Sequence, residues 1–218
     1  MAVNSPLKSK VLSMKIIPNL NEDLIQQLDL PKGHRSIGLF TTDCDDVAYT
    51  ALDEATKKAD VKVVYGKSFY GGAANANTKL AGEVIGIISG PNPAEVRSGL
   101  DAICDVIENE AYFISANDDD TIVYYAHCIS RTGSYLSQVA GIQEGESIAY
   151  LIAAPEEAVY GLDAALKAAD VRLAAFYGPP SETNFGGGLL TGSQSACKAA
   201  CDAFAEAVKY IAANPVEY

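Results

Sequence analysis

Acid, base or nucleophilic catalysis needs a reactive group beside its activator, and this chain offers two imidazoles and five thiols for that work. His34 follows Pro31 and Gly33 in a turn, and His127 lies in the apolar run YYAHC, where a hydrogen-bonded core or interface histidine is the simpler reading. No G-x-S-x-G elbow, H-E-x-x-H pair or phosphate-binding glycine-lysine loop occurs. The thiols Cys44, Cys104, Cys128, Cys197 and Cys201 are odd in number and form no C-x-x-C pair, which argues against a disulfide framework and a zinc knuckle. Cys197 and Cys201 stand one helical turn apart, but no histidine or third ligand is near in sequence, so they read as small core residues and no metal site is expected.

Two acidic groups remain. Asp118, Asp119 and Asp120 precede the run TIVYYAHC without the glycine and distal glutamate of a calcium loop, and are expected to form a solvated turn. Asp43, Asp45 and Asp46, around Cys44, follow an apolar run and could line a cation-attracting opening. Glycine clusters at 69–77 (FYGGAANAN) and 184–188 (NFGGG) begin on an aromatic residue and lack a lysine clamp. They are therefore not phosphate loops: the plain reading is a flexible connector, the sharper one a gate.

Short apolar runs supply the elements that must hold these residues. VLSMKII, SIGLF, VKVVY and EVIGIIS read as strands in the first half, and TIVYYAHC, SIAYLIA, VRLAAFY and GGLLTG in the second, with helices between them, so the fold class is mixed α/β. After IISG, Asn92-Pro93 gives a capping residue and a first-turn proline, and Val96, Leu100, Ile103, Cys104 and Ile107 recur on one helical face through residue 109. After LLTG, Cys197, Ala200, Cys201, Phe204, Ala207, Val208 and Ile211 form the matching stripe, leaving Lys198, Asp202 and Lys209 toward water.

The two halves are copies. LDEATKKADVK at 52–62 returns 110 residues later as LDAALKAADVR, with seven of eleven positions identical, and SIGLF and IISG return as SIAYL and LLTG at shifts of 111 and 102. Residues 1–110 and 111–218 are the expected domains, the second copy being shorter between its middle helix and last strand, where loops are trimmed at small cost. Both glycine clusters occupy corresponding places in this repeat.

With 218 residues, 49% hydrophobic and 20% charged, and a mean hydropathy of +0.07, the chain is long and apolar enough to pack a core. Its 16 basic against 28 acidic side chains give a net charge of −12 and a pI near 4.5, which repels nucleic acid and anionic membranes over any long approach. No apolar run reaches the about 18 residues of a membrane span, and MAVNSPLKSK lacks the apolar stretch of a secretory signal, so a cytoplasmic protein is expected.

Longer segments carry a more specific signal. RSIGLFTTDCDDVAYTALDEATKKADV, GPNPAEVRSGLDA, SRTGSYLS and PSETNFGGGLLTGSQSACKAACDAF resemble the shell proteins of ethanolamine-utilization bacterial microcompartments, in the tandem, circularly permuted branch of the bacterial microcompartment (BMC) domain family. The resemblance covers nearly the whole chain. It implies two permuted BMC domains, each a ferredoxin-like-related sheet with flanking helices. Three chains would close into a pseudohexameric tile in the microcompartment shell, beside other shell proteins. It implies no enzyme and no cofactor. Carried over by motif, Phe69, Tyr70, Gly71, Gly72 and Ala73, with Asn184, Phe185, Gly186 and Gly187, would form a gated central pore. Asp45, Asp46, Glu83, Phe113 and Thr183 would line a small pore for ethanolamine or a similar metabolite. Carboxylates, an aromatic face and a hydroxyl suit a small hydroxylated ammonium, although Glu83 reads equally as a strand-start residue and Phe113 as core.

Two other function classes compete. A soluble small-molecule sensor would clasp a cation between its tandem domains and form free trimers without sheets. An enzyme would use Asp45, Asp46 and His127, but lacks an activated nucleophile or cofactor motif.

Overall fold

The computed structural model describes residues 2–69, 83–181 and 183–216. Its described residues fall into two units: an N-terminal one of Lys8–Ala111 with Gly133–Leu136, and a C-terminal one comprising the residues up to Leu7, Tyr112–Thr132 and the chain from Ser137 onward.

In the N-terminal unit, strands β2 (Val11–Ile17), β3 (Ser36–Thr42), β4 (Lys62–Phe69) and β5 (Glu83–Gly90) form a sheet in the order β2-β3-β5-β4, with antiparallel pairings. Helices α2 (Asp45–Lys58) and α3 (Pro93–Asp105) pack on each other and on one face of the sheet. Alternation along β3 divides its side chains. Ile37 and Leu39 join Leu20, Ile25, Leu28 and Leu30, from and around the short helix α1 (Glu22–Gln27), on one face. Gly38 faces α3, where an added Cβ would lie 2.8 Å from Val96 and 2.9 Å from Leu100. The Asn92 side chain caps α3 by accepting the N–H groups of Ala94 and Glu95 at 2.9 and 3.0 Å, ahead of Pro93. The helix predicted to run to residue 109 ends its α-helical part at Asp105 and continues as a π-helical turn, Val106–Glu110.

In the C-terminal unit the order is β1-β6-β7-β8-β10-β9, built from β1 (Pro6–Lys8), β6 (Tyr112–Ser115), β7 (Val123–Ile129), β8 (Ser147–Ala153), β9 (Val171–Tyr177) and β10 (Gly186–Gly192); the short helix α4 (Ser134–Ala140) lies between β7 and β8 in the chain. Every residue of β8 is buried, as expected of a strand whose sequence is almost continuously apolar. Helices α5 (Pro155–Ala168) and α6 (Gln194–Ala213) cover one face, where Ala149, Leu151, Leu190, Cys197, Cys201 and Phe204 share a core. Gly161 on α5 lets the Phe204 ring approach so closely that an added Cβ would stand 2.7 Å from it. Complete burial of that ring contributes about 1.5–3 kcal/mol. The predicted strands of both halves are all present, and the strand sequence β2-β3-β5-β4 of one unit recurs as β7-β8-β10-β9 in the other.

The Asp118–Asp120 turn is solvated only in part. Asp118 and Asp119 are exposed, and Asp119 accepts the Thr121 N–H and hydroxyl at 3.2 and 2.7 Å. Asp120, with φ +58°, is buried. The backbone reverses between β6 and β7 by turning this residue inward, a conformation aspartate tolerates.

Candidate functional site

The acidic group of the N-terminal unit sits where β3 gives way to α2. Cys44 is the N-cap residue, and Asp45 and Asp46 open the helix, where the positive end of its dipole favours a carboxylate. All of Asp43, Cys44, Asp45 and Asp46 are buried. Asp43 Oδ1 accepts the Lys10 N–H at 3.0 Å, and Asp45 Oδ1 accepts the Asp46 N–H at 3.0 Å. Burial nevertheless pushes the Asp45 carboxyl up to about 6, against the pull of the Ser68 hydroxyl and the Asp46 N–H. A shift of that size corresponds to about 3 kcal/mol, whereas an N-terminal dipole supplies about 0.3–1 kcal/mol, so desolvation wins. Burial and the two adjacent carboxylates likewise push the Cys44 thiol well up, which leaves it a poor nucleophile.

Phe69 and Glu83 are paired across the ends of β4 and β5 by their backbones. Tyr70, Gly71, Gly72 and Ala73 lie outside the described residues. Just before them, the Ser68 N–H donates to Tyr49 Oη at 3.0 Å.

Phe113 and Thr183 belong to the C-terminal unit and form a second group with Phe185. Phe113 is fully buried, stacked on Tyr125 at 5.3 Å and edge-on to Phe185 at 5.8 Å. Thr183 Oγ1 accepts the Phe185 N–H at 3.2 Å. Asn184 is exposed and Phe185 half-buried. Gly187 and Gly188, which the sequence offers both as the end of a glycine cluster and as the start of the strand GGLLTG, lie with Gly186 in β10, where Gly187 pairs with Ile152 of β8. Close approach of neighbouring backbone explains them: at Gly187, with φ +152°, an added Cβ would lie 1.9 Å from the Leu151 carbonyl oxygen, and at Gly188 2.5 Å from that of Ala175.

The histidines hold structural places. His34 Nδ1 lies 2.9 Å from Ser89 Oγ, and His127 stacks on Tyr125 at 5.5 Å. Cys197 and Cys201 are buried on the α6 core stripe, and among the described residues no group of three or more His, Cys, Asp or Glu is placed to hold a metal ion. A groove of about 630 Å³ runs along α6, lined in part by Tyr124, Cys128, Lys198 and Asp202. Its two lysines are ion-paired along the helix, Lys198 with Asp202 and Lys209 with Glu206. No described helix is long and apolar enough to cross a membrane.

In the sequence Asp53 stands out only as one identity of the repeat. The structure makes it a buried acceptor: its carboxylate receives the N–H groups of Gly133 and Leu136 at 2.7 and 2.8 Å, with Lys57 Nζ 3.8 Å away. Its repeat equivalent, Asp163, is exposed and pairs with Lys167. The segment SRTGSYLS, distinctive and without counterpart in the first half, was the available signal.

Comparison with known proteins places this geometry. The BMC domain family matches residues 36–118. The chain is 64% identical over 215 residues to the bacterial microcompartment shell protein EutL of Clostridium perfringens (strain 13 / Type A), covering 99% of each chain. It is 55% identical over 211 residues to the protein of that name from Escherichia coli (strain K12), covering 97% of this chain and 96% of the other. The crystal structure of ethanolamine utilization protein EutL from Leptotrichia buccalis C-1013-b superposes with a TM-score of 0.95 at 75% identity over the full length of both chains.

Proposed function

The chain belongs to the EutL group of BMC-domain bacterial microcompartment shell proteins, structural proteins and not enzymes, and from that premise we propose that it forms a homotrimeric, pseudohexameric shell tile for ethanolamine utilization. The observation that carries this reading is the recurrence of one antiparallel strand order, β2-β3-β5-β4 and β7-β8-β10-β9, with a pair of mutually packed helices in each unit. Two equivalent units per chain, with the domains meeting near residue 110, make a six-unit ring from three chains by closed cyclic symmetry. Other shell proteins of the compartment are its neighbours.

In this reading the tile carries two kinds of passage. The segments holding Phe69, Tyr70, Gly71, Gly72 and Ala73 and Asn184, Phe185, Gly186 and Gly187 surround the central pore and gate it. The small pore admits ethanolamine at Asp45 and Asp46, with Glu83, Phe113 and Thr183 completing it. Support comes from the buried Asp45 carboxyl: it is pushed to about 6 by desolvation, and no cation among the described residues offsets that burial, a counter-charge that an ammonium ligand would supply. Light scattering combined with electron microscopy tests the tile. A trimer mass with threefold discs that array in two dimensions supports it, and a monomer at high protein concentration overturns it.

A further inference from the structure

Beside the Asp45 carboxyl lies an unusual hydroxyl. Among the described residues the buried Ser68 Oγ has no hydrogen-bond partner of ordinary geometry, although it stands close enough to Asp45 to hold that carboxyl's pKa down. A hydroxyl kept out of water without a regular partner is uncommon and asks for a reason. Its backbone is fixed: the Ser68 N–H donates to Tyr49 Oη at 3.0 Å, and Tyr49 stands on α2, one turn beyond Asp45.

Tyr49 is itself braced. Its ring packs on Tyr135 with centroids 6.3 Å apart. The far end of Tyr135 reaches β4, where its hydroxyl would lie 3.0 Å from a Cβ added at Gly66. Tyr135 belongs to the tetrapeptide Gly133–Leu136, which α2 grips one turn further along. Asp53 takes the N–H groups of Gly133 and Leu136, and Thr56 Oγ1 takes that of Ser134 at 3.1 Å. Gly133 is required for this fit, since a Cβ there would lie 2.2 Å from Thr56 Oγ1 and 2.6 Å from the Asp53 carbonyl oxygen. Thus α2, β4 and the tetrapeptide form one braced set inside the N-terminal unit, with Asp45 and Ser68 at its acidic end.

We propose that Tyr49 and Ser68 are positioning residues for cation recognition at Asp45, held in place by the Asp53-gripped tetrapeptide through Tyr135. Tyr49 fixes the end of β4 against α2, and that placement aims the Ser68 hydroxyl at the carboxyl that receives the ammonium. With an ammonium on Asp45, the hydroxyl has a charged group to orient toward and the carboxylate a second partner. This rests on the reading of Asp45 as a cation site. Among the described side chains, the titratable neighbours along the start of α2 are Asp43, Cys44, Asp46 and Tyr49, while β4 contributes the uncharged Ser68.

Full-length wild type, Tyr49→Phe, Ser68→Ala and Ser68→Thr would be compared by calorimetric titration with ethanolammonium chloride and by carbon NMR titration of the Asp45 carboxyl. Tyr49→Phe and Ser68→Ala should each weaken binding about three- to tenfold, the loss of one hydrogen-bonding group. Each should also move the Asp45 titration midpoint upward, while Ser68→Thr restores both. Should Tyr49→Phe fold poorly, Ser68→Ala with Ser68→Thr rescue decides the matter alone. An unchanged midpoint in both disrupting variants overturns the positioning role. If wild type takes up no ethanolammonium but the midpoints still move, the cation-site reading fails and the positioning of the carboxyl stands.

Discussion

Asp53 Oδ2 accepts the backbone N–H of Gly133 at 2.7 Å, although the two residues are 80 positions apart in the chain. A carboxylate in the middle of a helix, wholly out of water, thereby satisfies two main-chain donors that no secondary-structure ladder serves.

Replacing it should be costly. Asp53→Ala leaves both donors buried and unpaired, and is expected to destabilise the protein by about 3–4 kcal/mol, since each orphaned group costs about 1–3 kcal/mol. Urea unfolding of the variant checks this. Asp163→Ala, at the exposed repeat position, should change stability by less than about 0.5 kcal/mol.

Asp45 sets a pH dependence of the opposite sense to a salt-bridged aspartate. Its folded pKa of about 6 lies above the ordinary value of 3.8, so between these limits the native state binds the proton more tightly. Stability therefore falls as pH rises from about 4 to 6 and is level above that. Asp45→Asn should flatten this part of the profile and raise stability at pH 7 by about 2–3 kcal/mol, measured by denaturant unfolding across pH without ligand. A wild-type profile that rises over that interval, and is unaltered by the variant, would refute the assignment.

Gly187→Ala should disrupt the β8–β10 pairing. Its Cβ would overlap the Leu151 carbonyl oxygen at 1.9 Å, and φ of +152° suits glycine alone. A loss of at least about 3 kcal/mol, or failure to accumulate as soluble protein, is the expected outcome in thermal unfolding.

The chain contains no tryptophan, so Phe185→Trp supplies a single tryptophan emitter, excited selectively over the tyrosines, beside Phe113. With Phe185 half-buried against a core ring, the emission should be blue-shifted relative to free tryptophan. If the segment moves when the pore opens, a red shift should accompany ethanolammonium binding or its release. Emission at the free-tryptophan wavelength in all conditions would mean that the aromatic contact does not hold this segment.

The sequence alone determined what periodicity and repetition can encode. Alternating or continuous apolar runs such as SIAYLIA specify strands, Asn92-Pro93 specifies a helix start, and LDEATKKADVK with LDAALKAADVR specifies duplication, because each is a local pattern enforced by burial of one face. Long motifs around Asp45 and Phe185 likewise announced the family. Tertiary structure decided what depends on neighbours remote in the chain. Gly187 reads in sequence as part of a glycine cluster and as the start of a strand, yet only the Leu151 carbonyl makes glycine a steric necessity there. Asp53 and Asp163 read alike as repeat identities, but only Asp53 meets Gly133 and Leu136 and is buried. Asp45 could be recognised as acidic, but its elevated pKa exists only because the fold removes water from it faster than Ser68 and the Asp46 N–H compensate. Propensity and pattern are written residue by residue, whereas close approach and desolvation are properties of the packed chain.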